Sequence, residues 1–127
     1  MQRVDRRLAV VVEDDPAISR GVCMRLQHEG FETVAAFDGE SGLEQIRQRS
    51  PMFVILDVLM PGMNGLELLQ ELRREMGNSA PPVLMLSASL QDQQAALDAG
   101  ATYFLTKPYR SSELLDAIHS LPMAMHS

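Results

Sequence analysis

The sequence contains little cysteine, few aromatic residues and no long apolar run. Its 127 residues include one cysteine, Cys23, no tryptophan and 5% aromatic residues. A single cysteine excludes an internal disulfide, so we expect Cys23 to be a small buried hydrophobe in a reducing compartment. The apolar run 8–12 ends at Glu13. It is too short for a secretory signal or for the roughly 20 apolar residues of a membrane span. These absences predict a cytoplasmic protein with no membrane contact.

Positive charge is also scarce. The formal net charge is -6, the pI is about 4.9, and no basic run is present. Since nucleic-acid binding depends on Lys and Arg meeting phosphates, we expect no direct nucleic-acid contact by this domain. The length fits one compact domain with one hydrophobic core. We expect that domain to cover residues 1–122, with 123–127 as a tail or the start of a linker.

Five short apolar segments alternate with five segments of helical spacing. The predicted strands cover 8–12, 31–37, 52–56, 83–86 and 102–105. The first predicted helix begins after the N-cap Asp15, and the second covers 39–49. The third includes 66–72, the fourth covers 90–99 and the fifth covers 111–121, and a loop is predicted at 78–82. Strict alternation implies right-handed crossovers and a parallel sheet with helices on both faces. The fold class is therefore α/β, doubly wound.

Apolar residues at helical spacing predict which helix faces are buried. Ile18, Val22 and Leu26 should face inward from the first helix. The fourth predicted helix is rich in glutamine and alanine, and its apolar stripe is thin. We therefore expect it to dock less firmly than the others.

Polar side chains follow four of the five predicted strands. They are Glu13 and Asp14, then Asp57, Ser87 and Lys107. In a doubly wound sheet, ligands bind at the carboxyl ends of the strands. Two bare carboxylates about 4 Å apart repel by on the order of 4 kcal/mol at an effective dielectric near 20. The cluster therefore needs a proton, a lysine or a hard cation such as Mg²⁺.

This set of residues suits phosphoryl transfer. A carboxylate can attack phosphorus and form an aspartyl-phosphate. Asp57 is the best candidate nucleophile, because an open Gly/Pro-rich loop follows it. Charge on the transferred group could be neutralised by Mg²⁺, by the Lys107 ammonium, and by the Ser87 hydroxyl with a nearby backbone N–H.

Four segments resemble the signature stretches of bacterial response-regulator receiver domains. They are VVVEDDP, FVILDVLMPGMNG, VLMLSAS and YFLTKPY, in the family's order and spacing. The resemblance covers essentially the whole chain. It implies a five-stranded parallel sheet of order 2-1-3-4-5 in a flavodoxin-like three-layer sandwich.

The resemblance also implies a metal site. Asp57 would be the phosphoacceptor and a metal ligand. Asp14 would bind Mg²⁺ or Mn²⁺ directly, Glu13 through water, and Leu59 through its backbone carbonyl.

The resemblance also implies residues that contact the phosphoryl group and residues that change conformation on phosphorylation. Lys107, Ser87 and the Ala88 backbone N–H would contact the phosphoryl oxygens, and the Lys107–Pro108 bond would be cis. Phe104 matches the switch aromatic, which turns inward as Ser87 is drawn to the phosphate.

The implied partners are a sensor histidine kinase or phosphotransfer protein, and an output domain or target protein bound through the 90–121 face. That face lacks Lys and Arg between 91 and 106, which departs from the salt-bridged dimers of many transcriptional members. We expect a monomer or a weak dimer. The polar residues of the face are Gln91, Gln93, Gln94, Tyr103 and His119.

Three other functions are weighed against a phosphoacceptor switch. A phosphatase of the haloacid-dehalogenase type carries a second aspartate two residues after the nucleophile, where this chain has Leu59. A flavin- or nucleotide-binding protein would need a phosphate-binding loop after the first strand, where EDDP would repel phosphate. A receiver-like scaffold without phosphorylation conflicts with the intact acidic set and Lys107. The chain is thus predicted to be a regulatory domain with self-catalysed phosphoryl transfer, not a conventional enzyme.

Overall fold

Strands and helices alternate along the chain in the computed structural model, which describes residues 5–122. The strands are β1 (Asp5–Val12), β2 (Glu32–Ala36), β3 (Pro51–Asp57), β4 (Val83–Ser87) and β5 (Tyr103–Thr106). The helices are α1 (Pro16–His28), α2 (Gly39–Arg49), α3 (Gly65–Met76), α4 (Asp92–Asp98) and α5 (Ser111–His119), with a 3-10 turn at Gly77–Ser79. The α/β prediction is confirmed. The predicted tail, 123–127, lies outside the described residues.

The strands form one parallel sheet of order β2-β1-β3-β4-β5, as the resemblance implies. Val12 pairs with Leu56, and Ser87 pairs with Thr106. Asp57 pairs with Leu86, the residue before Ser87. The carboxyl ends of four strands therefore reach one level, and the residues that follow them are brought to one edge.

Each face of the sheet carries a separate apolar cluster. Val10 and Val12 of β1 pack with α2 and α3, whereas Ala9 and Val11 pack with α1 and α5. All four side chains are fully buried. A β-strand exposes alternate residues to opposite faces, so a continuously apolar strand indicates a sheet covered on both sides. The result is the predicted three-layer sandwich.

The beginning of α1 follows from two adjacent residues. Asp15 accepts hydrogen bonds from the backbone N–H groups of Ala17 and Ile18, at 2.9 and 3.3 Å, and Pro16 is the first helical residue. This N-cap interpretation of Asp15 is confirmed. The helix leads directly away from Glu13 and Asp14.

The inward face of α1 differs from the prediction at one residue. Ile18 is 40% exposed, and Ser19 is buried instead, together with Val22, Cys23 and Leu26. A strict four-residue spacing drifts by about 40° per step around an α-helix, so Ile18 falls outside the buried stripe. The prediction that Cys23 is buried is confirmed.

Several element ends differ from the prediction. The fourth helix begins at Asp92, not at residue 90, because the chain first makes a turn in which the Asp92 N–H donates to the Ser89 carbonyl at 3.1 Å. Part of the predicted loop 78–82 forms the 3-10 turn, and α5 ends at His119. Only Ala96 of α4 is buried, which agrees with its thin apolar stripe.

The first strand begins at Asp5, earlier than predicted, and its third residue, Arg7, makes contacts far along the chain. Its guanidinium donates to the carbonyls of Glu29, at 2.6 Å, and Gly30, at 3.2 Å, and lies 4.2 Å from the ring centre of Phe31. These contacts close the end of α1 onto β1. Within residues 5–122, every helix is too short or too polar to cross a lipid bilayer.

Candidate phosphoacceptor site at the sheet edge

Two buried carboxylates and one exposed carboxylate meet at the ends of β1 and β3. Glu13 follows Val12, whose partner in β3 directly precedes Asp57. Glu13 is 4% exposed and Asp57 is 6% exposed, whereas Asp14 is exposed. One carboxylate oxygen of each residue lies within 4.8 Å of the others. The structure thus brings together the three acids that the sequence placed after these strands.

An ammonium group faces the acids from the end of β5. The Lys107 Nζ lies 3.1 Å from Asp57 Oδ1 and 3.6 Å from Glu13 Oε1. The Lys107 N–H donates to the Ser87 carbonyl at 2.7 Å, which fixes the loop after β5 against β4. The Lys107–Pro108 peptide bond is cis, as the resemblance implies. The backbone at the end of β5 therefore fixes the position of Lys107 beside the acids.

The two buried acids keep the Lys107 side chain protonated. Burial alone would lower the pKa of its ammonium. The hydrogen bond to Asp57 and the attraction of both buried carboxylates outweigh burial, and the pKa is raised above its usual value. A permanent positive charge therefore stands beside Asp57 at neutral pH.

The surroundings of Glu13 disfavour its ionised form. Burial, followed by the close carboxylate of Asp57, raises the pKa of Glu13 to about 8. Its Oε2 atom is buried without a hydrogen-bond partner. A buried carboxylate oxygen without a partner is unfavourable unless a proton or cation satisfies it. The donor set is entirely oxygen, which fits a hard divalent cation.

The raised pKa of Glu13 predicts how stability varies with pH. Between pH 4.5 and about 8, folded Glu13 holds a proton that the unfolded chain releases. Since stability falls with pH wherever the folded state binds more protons, we expect the free energy of unfolding of the metal-free protein to decrease across this range. Urea unfolding in the presence of a chelator would measure it.

Two variants test the origin of this pH dependence. Glu13→Gln should flatten the decrease, because the amide does not ionise. Glu32→Gln changes an exposed residue of β2 and should leave the slope unchanged. An equally steep decrease in Glu13→Gln would assign the effect to another group.

The Ser87 hydroxyl is bonded to the beginning of α4. Ser87 is 1% exposed, its Oγ donates to Asp92 Oδ2 at 2.5 Å, and it accepts from the Ser89 N–H at 3.0 Å. Phe104 is 8% exposed and packs in the same apolar cluster as Met85. Phe104 is inward here while Ser87 is bonded to Asp92. The coupled movement of the two residues on phosphorylation stays a prediction.

The sequence interpretation did not include Asp92. It lies five residues after Ser87, and only the tight turn before α4 brings the two side chains together. A helix predicted to begin at residue 90 leaves no room for that turn, so the contact is not expected. The roles of two backbone groups stay predictions: the Leu59 carbonyl as a metal ligand and the Ala88 N–H as a donor to the phosphoryl group. Leu59 is 70% exposed, and Ala88 is also exposed.

The predicted output face is exposed and more apolar than expected. Leu90 is 64% exposed and Leu97 is 41% exposed, and they accompany the polar residues of the face. The His119 Nε2 lies 3.5 Å from Oε1 of Glu29, the residue that follows α1. The exposed polar residues of the face are Gln91, Gln93, Gln94, Tyr103 and His119.

Comparison with curated proteins finds transcriptional regulators. The chain is 37% identical over 125 residues to "Probable transcriptional regulatory protein TcrX" of Mycobacterium tuberculosis, covering 95% of this chain and 53% of that protein. It is 34% identical over 126 residues to "Phosphate regulon transcriptional regulatory protein PhoB" of Escherichia coli, covering 94% and 55%. The chain therefore spans about half the length of these relatives.

Solved structures and a family model agree on the fold. The chemotaxis protein CheY4 of Vibrio cholerae matches with a TM-score of 0.84 and 29% identity, covering 92% of this chain and 99% of that one. A signal receiver domain from Bermanella marisrubri matches with a TM-score of 0.85 and 28% identity, covering 92% and 98%. The family model "Response regulator receiver domain" matches residues 9–119. With the acidic edge and Lys107 in place, the chain belongs to the receiver domains of two-component response regulators.

Proposed function

We propose that this domain is a switch that accepts a phosphoryl group on Asp57 in a reaction that depends on Mg²⁺ or Mn²⁺. One observation carries the proposal: the buried Asp57 carboxylate has the Lys107 ammonium 3.1 Å away and carboxylate oxygens of Glu13 and Asp14 within 4.8 Å. A carboxylate beside both a fixed cation and two further acids is suited to share a metal ion with an incoming phosphoryl group.

The reaction is an in-line transfer from a phosphohistidine. An Asp57 carboxylate oxygen attacks phosphorus, a new O–P bond forms, and the P–N bond of the donor breaks. The electron pair stays on the departing imidazole nitrogen, which takes a proton. Lys107 neutralises one phosphoryl oxygen, and the Ser87 hydroxyl and the Ala88 N–H can donate to another. These residues neutralise and orient the transferred group, and the reactive P–N bond of the donor makes the transfer favourable.

The acidic pair and Asp57 would hold the divalent cation. Asp57 and the exposed Asp14 provide carboxylate ligands, Leu59 its carbonyl, and Glu13 binds through water. The unpartnered Glu13 Oε2 supports this role, because a metal-bound water would supply the missing donor. When bound, the cation screens negative charge between the carboxylates and the phosphoryl oxygens.

The switch would join two partners in the cytoplasm. A histidine kinase or phosphotransfer protein supplies the phosphoryl group. Phosphorylation shifts an existing equilibrium at the 90–121 face, and an output domain or target protein reads the change. Self-catalysed hydrolysis returns the domain to rest. The exposed leucines of this face, Leu90 and Leu97, offer apolar contact area to such a target, and the domain itself remains a monomer or weak dimer.

Intact mass tests the assignment of Asp57. After incubation with Mg²⁺ and acetyl phosphate, the wild type should gain the mass of one HPO₃ unit, because one carboxylate oxygen takes the phosphoryl group and acetate leaves. Asp57→Asn should gain nothing. Asp98→Asn, at an exposed position in α4, should behave as the wild type. An excess of chelator should prevent the gain.

Two outcomes would contradict the proposal. An adduct of equal yield on wild type and Asp57→Asn would place the phosphoryl group elsewhere. No adduct on the wild type at any concentration of donor and Mg²⁺ would indicate a domain that does not take phosphate.

A further inference from the structure

We propose that Asp92 is a positioning residue that holds the Ser87 hydroxyl away from the phosphoryl site in the resting domain. The inference rests on the proposed phosphorylation of Asp57 and adds a competing acceptor to it. Asp92 lies at the beginning of α4, outside the acidic edge and outside the set of residues predicted from the sequence.

The argument begins with the number of protons on a serine hydroxyl. A hydroxyl has one hydrogen to donate. In the structure, the Ser87 Oγ donates it to Asp92 Oδ2 at 2.5 Å. Ser87 is 1% exposed, so the donor side of the bond is shielded from bulk water. A phosphoryl oxygen on Asp57 can receive this hydrogen only if Asp92 loses it.

The bond is strong enough to influence the site. A hydrogen bond to an ionised acceptor is shorter and about twice as strong as one between neutral groups. The Ser87 oxygen is also held by the Ser89 N–H at 3.0 Å, which fixes the direction of the hydroxyl. The phosphoryl group must therefore displace a good acceptor, and the affinity of the site for it is lowered accordingly.

Asp92 is attached to the least anchored helix. Only Ala96 of α4 is buried, and the N-cap residue, Gln91, makes no side-chain capping bond. Loss of the bond from Ser87 would free the first turn of α4 from the end of β4. Since Phe104 is already inward, exchange of this one hydrogen bond is the step that connects Asp57 to α4. Occupancy of the site is thereby transmitted to the 90–121 face.

Equilibrium binding of beryllofluoride, a phosphoryl mimic, tests the inference. In the presence of Mg²⁺, Asp92→Ala should bind it about tenfold more tightly than the wild type, because no acceptor competes for Ser87. Asp92→Asn keeps the shape and a weaker acceptor, so its gain should be about threefold. Asp98→Ala makes the same charge change in α4 but removes a residue bonded to Gln94, and it should stay near the wild-type affinity.

A double-mutant cycle separates positioning from a structural effect on α4. In a Ser87→Ala background, Asp92→Ala should give no further gain, because the hydrogen in question is gone. Equal affinity of Asp92→Ala, Asp92→Asn and wild type would overturn the inference, and so would a gain that persists without Ser87. If Asp92→Ala does not fold, the same test uses the affinity of Asp92→Asn, alone and combined with Ser87→Ala.

The outcomes distinguish this inference from the proposed function. Wild-type protein that binds beryllofluoride and forms the phosphoryl adduct, with no effect of Asp92, would overturn only the role of Asp92. Wild-type protein that does neither would overturn both.

Discussion

Lys107→Met is expected to slow phosphorylation of Asp57 by about two orders of magnitude, as measured by the initial rate of adduct formation with acetyl phosphate. The ammonium lies 3.1 Å from Asp57 and is the positive side chain that faces the buried acids. Methionine retains much of the length and apolar stem but has no charge. Without the ammonium charge, repulsion between the phosphoryl oxygens and the carboxylates is less well neutralised, and the barrier to transfer rises.

Two variants isolate the role of the ammonium. Arg110→Met removes a positive charge three residues away, from an exposed side chain near Glu113, and should leave the rate within about twofold. Lys107→Arg keeps the charge but not the compact shape of an ammonium, and should recover only part of the rate. A rate for Lys107→Met close to the wild type would remove Lys107 from the mechanism.

Gly65→Ala is expected to lower the free energy of unfolding by about 3 kcal/mol. A Cβ atom at this position would overlap the backbone carbonyl of Asp57 and lie 2.9 Å from the Cε of Met85. The Gly65 N–H also donates to the Val58 carbonyl at 2.9 Å, so the beginning of α3 is held against the end of β3. Backbone cannot move aside as a flexible side chain can. Urea unfolding of wild type and variant would measure the change.

Gly21→Ala is the matched control, with an effect of opposite sign. Gly21 lies within α1, and a Cβ atom there would meet nothing within 4 Å. Replacing an exposed helical glycine by alanine should stabilise the protein by about 0.5–1 kcal/mol. A loss for Gly65→Ala no larger than about 0.5 kcal/mol would mean that α3 can withdraw from Asp57 without strain.

Much of the acidic edge could be predicted because strand ends are local features. Continuous apolar runs locate β1 and β3, and parallel strands bring their carboxyl ends to one edge. Glu13 and Asp57 are adjacent because, in addition, β1 and β3 are neighbours in the sheet. The strand order came from the resemblance, since alternation permits several orders.

The remaining features depend on contacts between distant or tightly turned segments. The Ser87–Asp92 bond requires a turn that no periodic pattern shows. The early start of β1 depends on the pairing of Asp5 with Pro51, which lies beyond an irregularity in the register. Ile18 was placed inward because a coarse spacing rule does not resolve where the edge of a helical stripe falls.

Lys107 is the only lysine of the 127 residues, and its side chain, 21% exposed, lies beside the buried acids. An amine reacts with an acylating reagent only in its neutral form, and these acids raise the pKa of the Lys107 ammonium. Amine-reactive reagents should therefore modify this single side-chain amine slowly at neutral pH, and a cation bound between the acids should speed the reaction. The rate of modification thus reports whether the acidic edge is neutralised, without an engineered reporter.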